Sequence, residues 1–346
     1  MSDFISGFGR PELVAVLLVV SLNAYVLMGG ADLGSGVWDL LARGPRRDAQ
    51  RDLIERAIGP IWEANHVWLV IAVVICFTAF PPAFATLTTV LHIPLALMLV
   101  GIVLRGSAFV FRSYGQHHGP AHARWGRTFA IASIATPVLL GIVIGAVAAG
   151  DVSAVPVQGA SAGFVPVFVT NWLAPFPLLI GALTLALVAQ LAATYLALAT
   201  DDEALADDFR RRALASAAVA AGLALIAGTW FARHITLDDN GLLRPPRSWA
   251  WLGVVAMMAA VAIAALRKRR YAVARMAGCG QVSLIVWGWV AAQYPMLLPP
   301  TLTIRSAAAP AATLAALLWA VAGGAVLLIP SLWYLLKTFA AHRAEA

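Results

Sequence analysis

The chain has 346 residues, of which 61% are apolar and only 12% charged, and it carries a formal net charge of +7. That charged share is about half of what an ordinary soluble domain carries, so few polar groups remain to clothe a water-facing globule and a soluble fold is the weak alternative. The basic excess does not indicate nucleic acid either, because Lys and Arg fall in short clusters between apolar stretches, as they do in loops that face the cytoplasm.

Met1 to Arg10 is polar and glycine-containing and lacks the basic n-region and small-residue cleavage pattern of a signal peptide, so the first apolar stretch is expected to remain as a span. Stretches able to cross a hydrocarbon core of roughly 30 Å lie at about 12–32, 60–79, 85–108, 128–149, 166–197, 212–231, 249–266, 273–294 and 311–336, nine in all. Alternate loops carry the positive charge. Arg43, Arg46, Arg47 and Arg51 follow the first span, Arg112, Arg124 and Arg127 the third, Arg210, Arg211 and Arg212 the fifth, and Arg267, Lys268, Arg269 and Arg270 the seventh. The intervening loops hold Phe80-Pro81-Pro82-Ala83, Asp151 and Arg305; only the loop with Arg233, Arg244 and Arg247 dissents, partly offset by Asp238 and Asp239. The positive-inside rule then places the N-terminus outside and the C-terminus, near Lys337 and Arg343, in the cytoplasm. The segment from Arg46 to Arg56 is too charged to span and fits a short amphipathic helix on the inner interface.

Prolines and glycines inside the spans (Pro94, Pro137, Pro175, Pro177, Gly323, Gly324, Pro330) suit a tightly packed bundle. Trp38, Trp62, Trp68, Trp125, Trp249 and Trp333 fall near span ends, as an aromatic belt would. Cys76 and Cys279 lie within spans and give neither a disulfide framework nor a CxxC motif. No nucleotide-binding or zinc-protease motif is present.

Ionisable groups inside spans cost about 2.5–3.5 kcal/mol each and so mark sites for attention. Glu63 lies about one turn inside the inner end of the second span, Arg105 a comparable distance inside the third, and Asp32 near the inner end of the first. If consecutive spans pack side by side, the three form one polar cluster with Glu63 opposite Arg105. Two readings stand: a proton or ion relay at Glu63 with its charge state set by Arg105 and Asp32, or a static ion pair that fixes helix register. His66 and His92 on neighbouring spans could ligate a heme or serve as hydrogen-bonding core groups. His117, His118 and His122 read as a solvated loop. A secondary transporter and a heme-binding electron-transfer subunit are the alternatives from other classes.

Three segments resemble subunit II of cytochrome bd-type quinol oxidases. Gly30-Ala31-Asp32-Leu33-Gly34-Ser35-Gly36 is similar to that family's Gly-Phe-Asp-Leu-Gly-x-Gly, and Pro60-Ile61-Trp62-Glu63-Ala64-Asn65-His66-Val67-Trp68-Leu69 resembles its Pro-x-Trp-Asp/Glu-x-Asn-x-Val-Trp-Leu. Arg105 with Phe109-Val110-Phe111-Arg112-Ser113 looks like its helix-three Arg and Phe-x-x-Arg stretch. Weaker similarity continues through Asn171-Trp172-Leu173-Ala174-Pro175-Phe176 and Tyr294-Pro295-Met296-Leu297-Leu298-Pro299. Gly29, Ala31 and His66 depart from residues the family often has there, Asp, Phe and Gln.

The resemblance implies an all-α polytopic membrane protein of nine transmembrane helices: a four-helix bundle over 1–150, a second over 151–300, and a peripheral ninth helix with a cytoplasmic tail over 301–346. It implies a non-heme subunit that binds no cofactor directly, supports assembly and delivers protons to a partner, the heme-bearing subunit I with its b- and d-type hemes. A small accessory subunit, membrane lipids, and quinol and dioxygen reached through the complex complete the implied partners. A quinone or lipid lodged in the groove equivalent to a heme site is a further expectation. By this resemblance Glu63, Arg105 and Asp32 form the proton pathway, with Asn65, His66, Trp62 and Arg112 around them, in a bacterial inner membrane.

Overall fold

The computed structural model describes residues 9–58, 62–113, 120–152, 163–234 and 247–345. The first helix, α1 (Arg10–Leu40), begins where Pro11 presets the backbone and Glu12 reaches back to accept the Gly9 N–H at 2.9 Å. After the Gly44 turn (φ +82), α2 (Arg47–Ile58) is the expected short amphipathic helix, burying Leu53 and Ile54 and exposing Arg47 and Asp48.

Helix α3 (Trp62–Ala79) stops at Phe80, and α4 (Pro81–Val90) leaves it at 115°. The reason is local: helical backbone is disfavoured for the residue before a proline, Phe80 sits at φ −132°, ψ 57°, and the doubled Pro81-Pro82 lacks N–H groups to extend the ladder of α3, so it opens a new helix instead. Residues 81–90 are thus neither the loop nor the start of the third span expected from hydropathy, and the third long helix, α5, runs His92–Ser113. Arg112, expected in the following loop, lies instead in the last turn of α5 and is buried.

Helix α6 (Pro120–Ala149) ends at Gly150 (φ +81). The expected span 166–197 is two pieces, a short α7 (Phe164–Phe168) and α8 (Pro175–Leu198), parted by a turn in which Ala174 is extended ahead of Pro175. Helix α9 (Glu203–His234) starts earlier than hydropathy suggested, because Asp202 caps it: its carboxylate accepts the Ala204 and Leu205 N–H groups at 2.8 and 3.2 Å. Arg210, Arg211 and Arg212 are accordingly helical rather than loop residues. Then follow α10 (Arg247–Arg267), α11 (Tyr271–Gln293), a hairpin of β1 (Met296–Leu298) and β2 (Leu302–Thr303), and α12 (Ala311–Glu345).

Among the described residues, seven helices are long and apolar enough to cross a membrane, and the bent pair α3–α4 makes an eighth if counted as one span. Helix α11, at 23 residues, has the length but carries Arg275, Gln281 and Gln293 and falls outside that count. The chain is a multi-pass, all-α membrane protein. Large apolar side chains such as Val70, Phe77, Leu99 and Val103 face outward, as they do where the surroundings are lipid or another chain.

The packing centres on α1. It lies against α3, α6 and α8, while α5 packs on α6 and α9 on α8. Two glycines allow this closeness: a Cβ at Gly34 would sit 2.0 Å from the Val188 carbonyl oxygen of α8, and one at Gly36 would sit 2.2 Å from the Ser133 Cβ of α6. Trp38 is no belt residue, because it is buried in this core with its indole N–H donating to the Ala189 carbonyl at 2.9 Å. Trp249 and Trp333 are largely exposed, as belt residues would be.

Candidate site: two buried aspartate–arginine rungs

The tight seating of α1 puts Asp32, Ser35 and Asp39 on one stripe, spaced as neighbours on a helix face. All three are buried. Arg105 of α5 donates from Nη2 to Asp32 Oδ1, and both side chains are 1% exposed. The guanidinium also stands 5.4 Å over the Phe129 ring of α6, a contact that favours a cation in an apolar setting.

Helix α3 completes the surroundings. Asn65, fully buried, donates to the Met28 carbonyl of α1 at 3.3 Å, and both Asn65 and His66 act on the Asp32 carboxylate. Tyr25, about two turns from Asp32 along α1, meets the His66 ring edge-on at 6.1 Å. The expected cluster therefore contains Asp32, Arg105, Asn65 and His66. Trp62 and Glu63 are the first two residues of α3, and their side chains lie outside the described residues, as do His117, His118 and His122.

His92 is far from this cluster. It is the first residue of α5, its Nδ1 2.9 Å from the Thr89 carbonyl oxygen, about 20 Å along the helix from Arg105 at the usual rise per residue. One heme iron cannot be held by His66 and His92 together in this arrangement. Among the described residues no group of three or more His, Cys, Asp or Glu side chains is placed to hold a metal ion.

Sequence reasoning missed a second rung. Seven residues on from the first pair in each helix, Arg112 donates from Nη1 to Asp39 Oδ1 at 2.9 Å. Equal offsets with the same sign mean that α1 and α5 run parallel, as first and third spans should. Arg51 of α2 approaches Asp39 at 3.8 Å and donates to its backbone carbonyl at 3.4 Å; Glu55 of α2 lies 3.6 Å from Arg112. Burial pulls the Arg51 guanidinium down from its ordinary value, with Asp39 pulling the other way. The signal was present as the matched spacing of Asp32 and Asp39 against Arg105 and Arg112.

Helix α2 is itself pinned. Arg46 grips Asp208 of α9 with two bonds of 2.8 and 2.7 Å, and Gln50 joins Asp208 (3.0 Å) to Arg212 (2.7 Å). Beside the first rung a lateral cleft of about 540 Å³ opens between α3 and α5, bordered by His66, Ile102, Val103, Gly106, Ser107, Val110 and Phe111.

Comparison with known proteins agrees with this architecture. The family model of cytochrome bd terminal oxidase subunit II matches residues 10–339. The chain is 29% identical over 131 residues to the cytochrome bd ubiquinol oxidase subunit 2 of Bacillus subtilis (strain 168), 38% of either chain. It is 28% identical over 226 residues to the cytochrome bd-I ubiquinol oxidase subunit 2 of Escherichia coli (strain K12), 63% of this chain and 55% of that one. The matched stretches thus span 38% and 55% of those relatives' lengths. A chain in the structure of bd oxidase from Geobacillus thermodenitrificans shares the fold, with a TM-score of 0.78 at 23% identity, covering 95% of this chain and 98% of that one. This chain belongs to the cytochrome bd terminal oxidase subunit II family.

Proposed function

We propose that the chain is the non-heme subunit of a membrane quinol:oxygen oxidoreductase, that it assembles with a heme-bearing subunit I, and that it delivers protons to the oxygen-reducing heme there. Family membership supports the first two parts. The third rests chiefly on one observation: an Asp–Arg pair buried to 1% exposure inside helices long enough to cross the bilayer. In that setting a carboxylate is tolerated only with a compensating cation, and Arg105 supplies it.

In this reading Glu63 takes protons from the cytoplasmic side and Asp32 stands next to it on the route, at the level where Asn65 ties α3 to α1. Arg105 offsets the charge of the Asp32 carboxylate, which in this reading accepts a proton and releases it. The hemes lie in the partner. The same reading has the nine crossings of the sequence expectation, arranged as two four-helix bundles (α1, α3, α5, α6 and then α8 to α11) with α12 peripheral, the N-terminus outside and the C-terminus cytoplasmic. A lipid or quinone in the cleft between α3 and α5 would suit its largely apolar border.

The test is purification of the chain from native membranes followed by Glu63→Ala. Copurification with a heme-bearing polypeptide, and slowed oxygen reduction with heme content unchanged in the variant, is the expected result. A preparation without any heme polypeptide would end the assignment, and normal turnover in Glu63→Ala would remove Glu63 from the route.

A further inference from the structure

Resting on the reading of Asp32–Arg105 as part of a proton route, we infer that the Asp39–Arg112 rung is the inward entry of that route, with Asp39 as a proton relay between helix α2 and Asp32. Exposure falls in steps along this line. Arg51 and Glu55 on α2 are 32% and 29% exposed at the side chain, Asp39 and Arg112 only 2% and 6%, and Asp32 and Arg105 1% each. Charged side chains thus lead from the surface to the deep pair without an apolar gap at the first step.

The second step is bounded by hydroxyls. Seven residues of helix separate the rungs by about 10 Å. Within that interval lie Ser35, whose Oγ donates to the Asp32 carbonyl at 2.5 Å, and Ser133, whose Oγ would be 2.8 Å from a Cβ at Gly36. Ser133 Oγ and Arg105 Nε are buried and have no hydrogen-bond partner among the described residues. Leaving such groups unpaired costs about 1–3 kcal/mol each, and a short file of water between the rungs would satisfy both.

The chemistry balances simply. Asp39 takes a proton from water at the Arg51–Glu55 edge and becomes neutral. It then gives that proton up toward Ser133 and Asp32 and returns to the carboxylate, while each hydroxyl or water accepts one proton and releases another. Nothing is oxidised or reduced. The charged groups around Asp39 are Arg112 from α5 and Arg51 from α2, with Glu55 facing Arg112 and with Arg47 and Asp48 acting on Arg51. Two cations, Arg112 at 2.9 Å and Arg51 at 3.8 Å, thus face the one buried Asp39 carboxylate.

The experiment uses the intact complex in detergent and compares Asp39→Asn, Asp39→Glu and Asp32→Asn for heme content, oxygen-reduction rate, its pH profile and its solvent deuterium isotope effect. Asp39→Asn is expected to lower turnover about tenfold with normal heme content and a raised isotope effect, and Asp39→Glu to restore most of the rate. Wild-type rate and isotope effect in Asp39→Asn, beside a slow Asp32→Asn, would overturn the entry while leaving the deeper pair in place. Normal rates in both would remove the underlying route. If Asp39→Asn fails to assemble, the doubly neutral Asp39→Asn/Arg112→Gln, which removes both of the deeply buried charges of the rung, is read by the same criteria. Failure of that variant too would make the rung structural and overturn the proposal.

Discussion

Arg105 of α5 closes on Asp32 of α1 in a pocket where neither side chain is more than 1% exposed. Removing one partner strands the other in a medium that cannot solvate it, whereas neutralising both leaves only a polar contact. Arg105→Ala should therefore destabilise the protein by about 3–5 kcal/mol and lower its yield in membranes. The paired variant Asp32→Asn/Arg105→Gln should recover much of that loss. Thermal unfolding of the purified variants decides it, and equal losses in the single and paired variants would show that charge compensation is not what stabilises the site.

The seating of α1 predicts a contrast among glycines. Gly34→Ala places a methyl against the Val188 carbonyl, a backbone atom that cannot step aside, and should cost about 1–3 kcal/mol through overpacking. Gly222→Ala, in α9 with nothing within 4 Å of the new carbon, should be neutral or stabilising by about 0.5–1 kcal/mol. Unfolding temperatures in the opposite order would mean that α1 is not packed on α8 as described.

Orientation can be read with thiol chemistry. On a background lacking Cys76 and Cys279, Thr301→Cys at the hairpin and Lys268→Cys in the turn before α11 are both exposed. A membrane-impermeant maleimide applied to spheroplasts should label Thr301→Cys at once and Lys268→Cys only after lysis. The reverse pattern would invert the topology and put the rungs nearest the wrong face.

Much of this was legible in the sequence, and the misses have physical causes. Apolar length gave the long helices because backbone groups in lipid must be satisfied within the helix itself. The same averaging hid the breaks at Pro81 and Pro175, where apolar composition continues while the backbone turns. Charge marked Asp32 and Arg105 as unusual, but their pairing depends on which helices touch. Consecutive spans were expected to pack side by side, with Arg105 facing Glu63; in the fold α3 lies on α1 and α5 on α6, and Arg105 meets Asp32, while the Glu63 side chain lies outside the described residues. Arg112 was expected near the cluster but in a loop, and its partner Asp39 escaped notice, because each sits near a helix end, where a charge looks solvated until α2 is seen folded over it.

The most direct measurement is the oxygen-reduction rate of the assembled complex carrying Asp32→Asn, an isosteric change that keeps a polar group beside Arg105 but cannot carry a proton. A turnover reduced about tenfold or more, with normal heme spectra and an enlarged solvent isotope effect, is the predicted outcome. Wild-type turnover with an unchanged isotope effect in a fully heme-loaded complex would contradict it, and would leave Asp32 and Arg105 as a register pin between two helices.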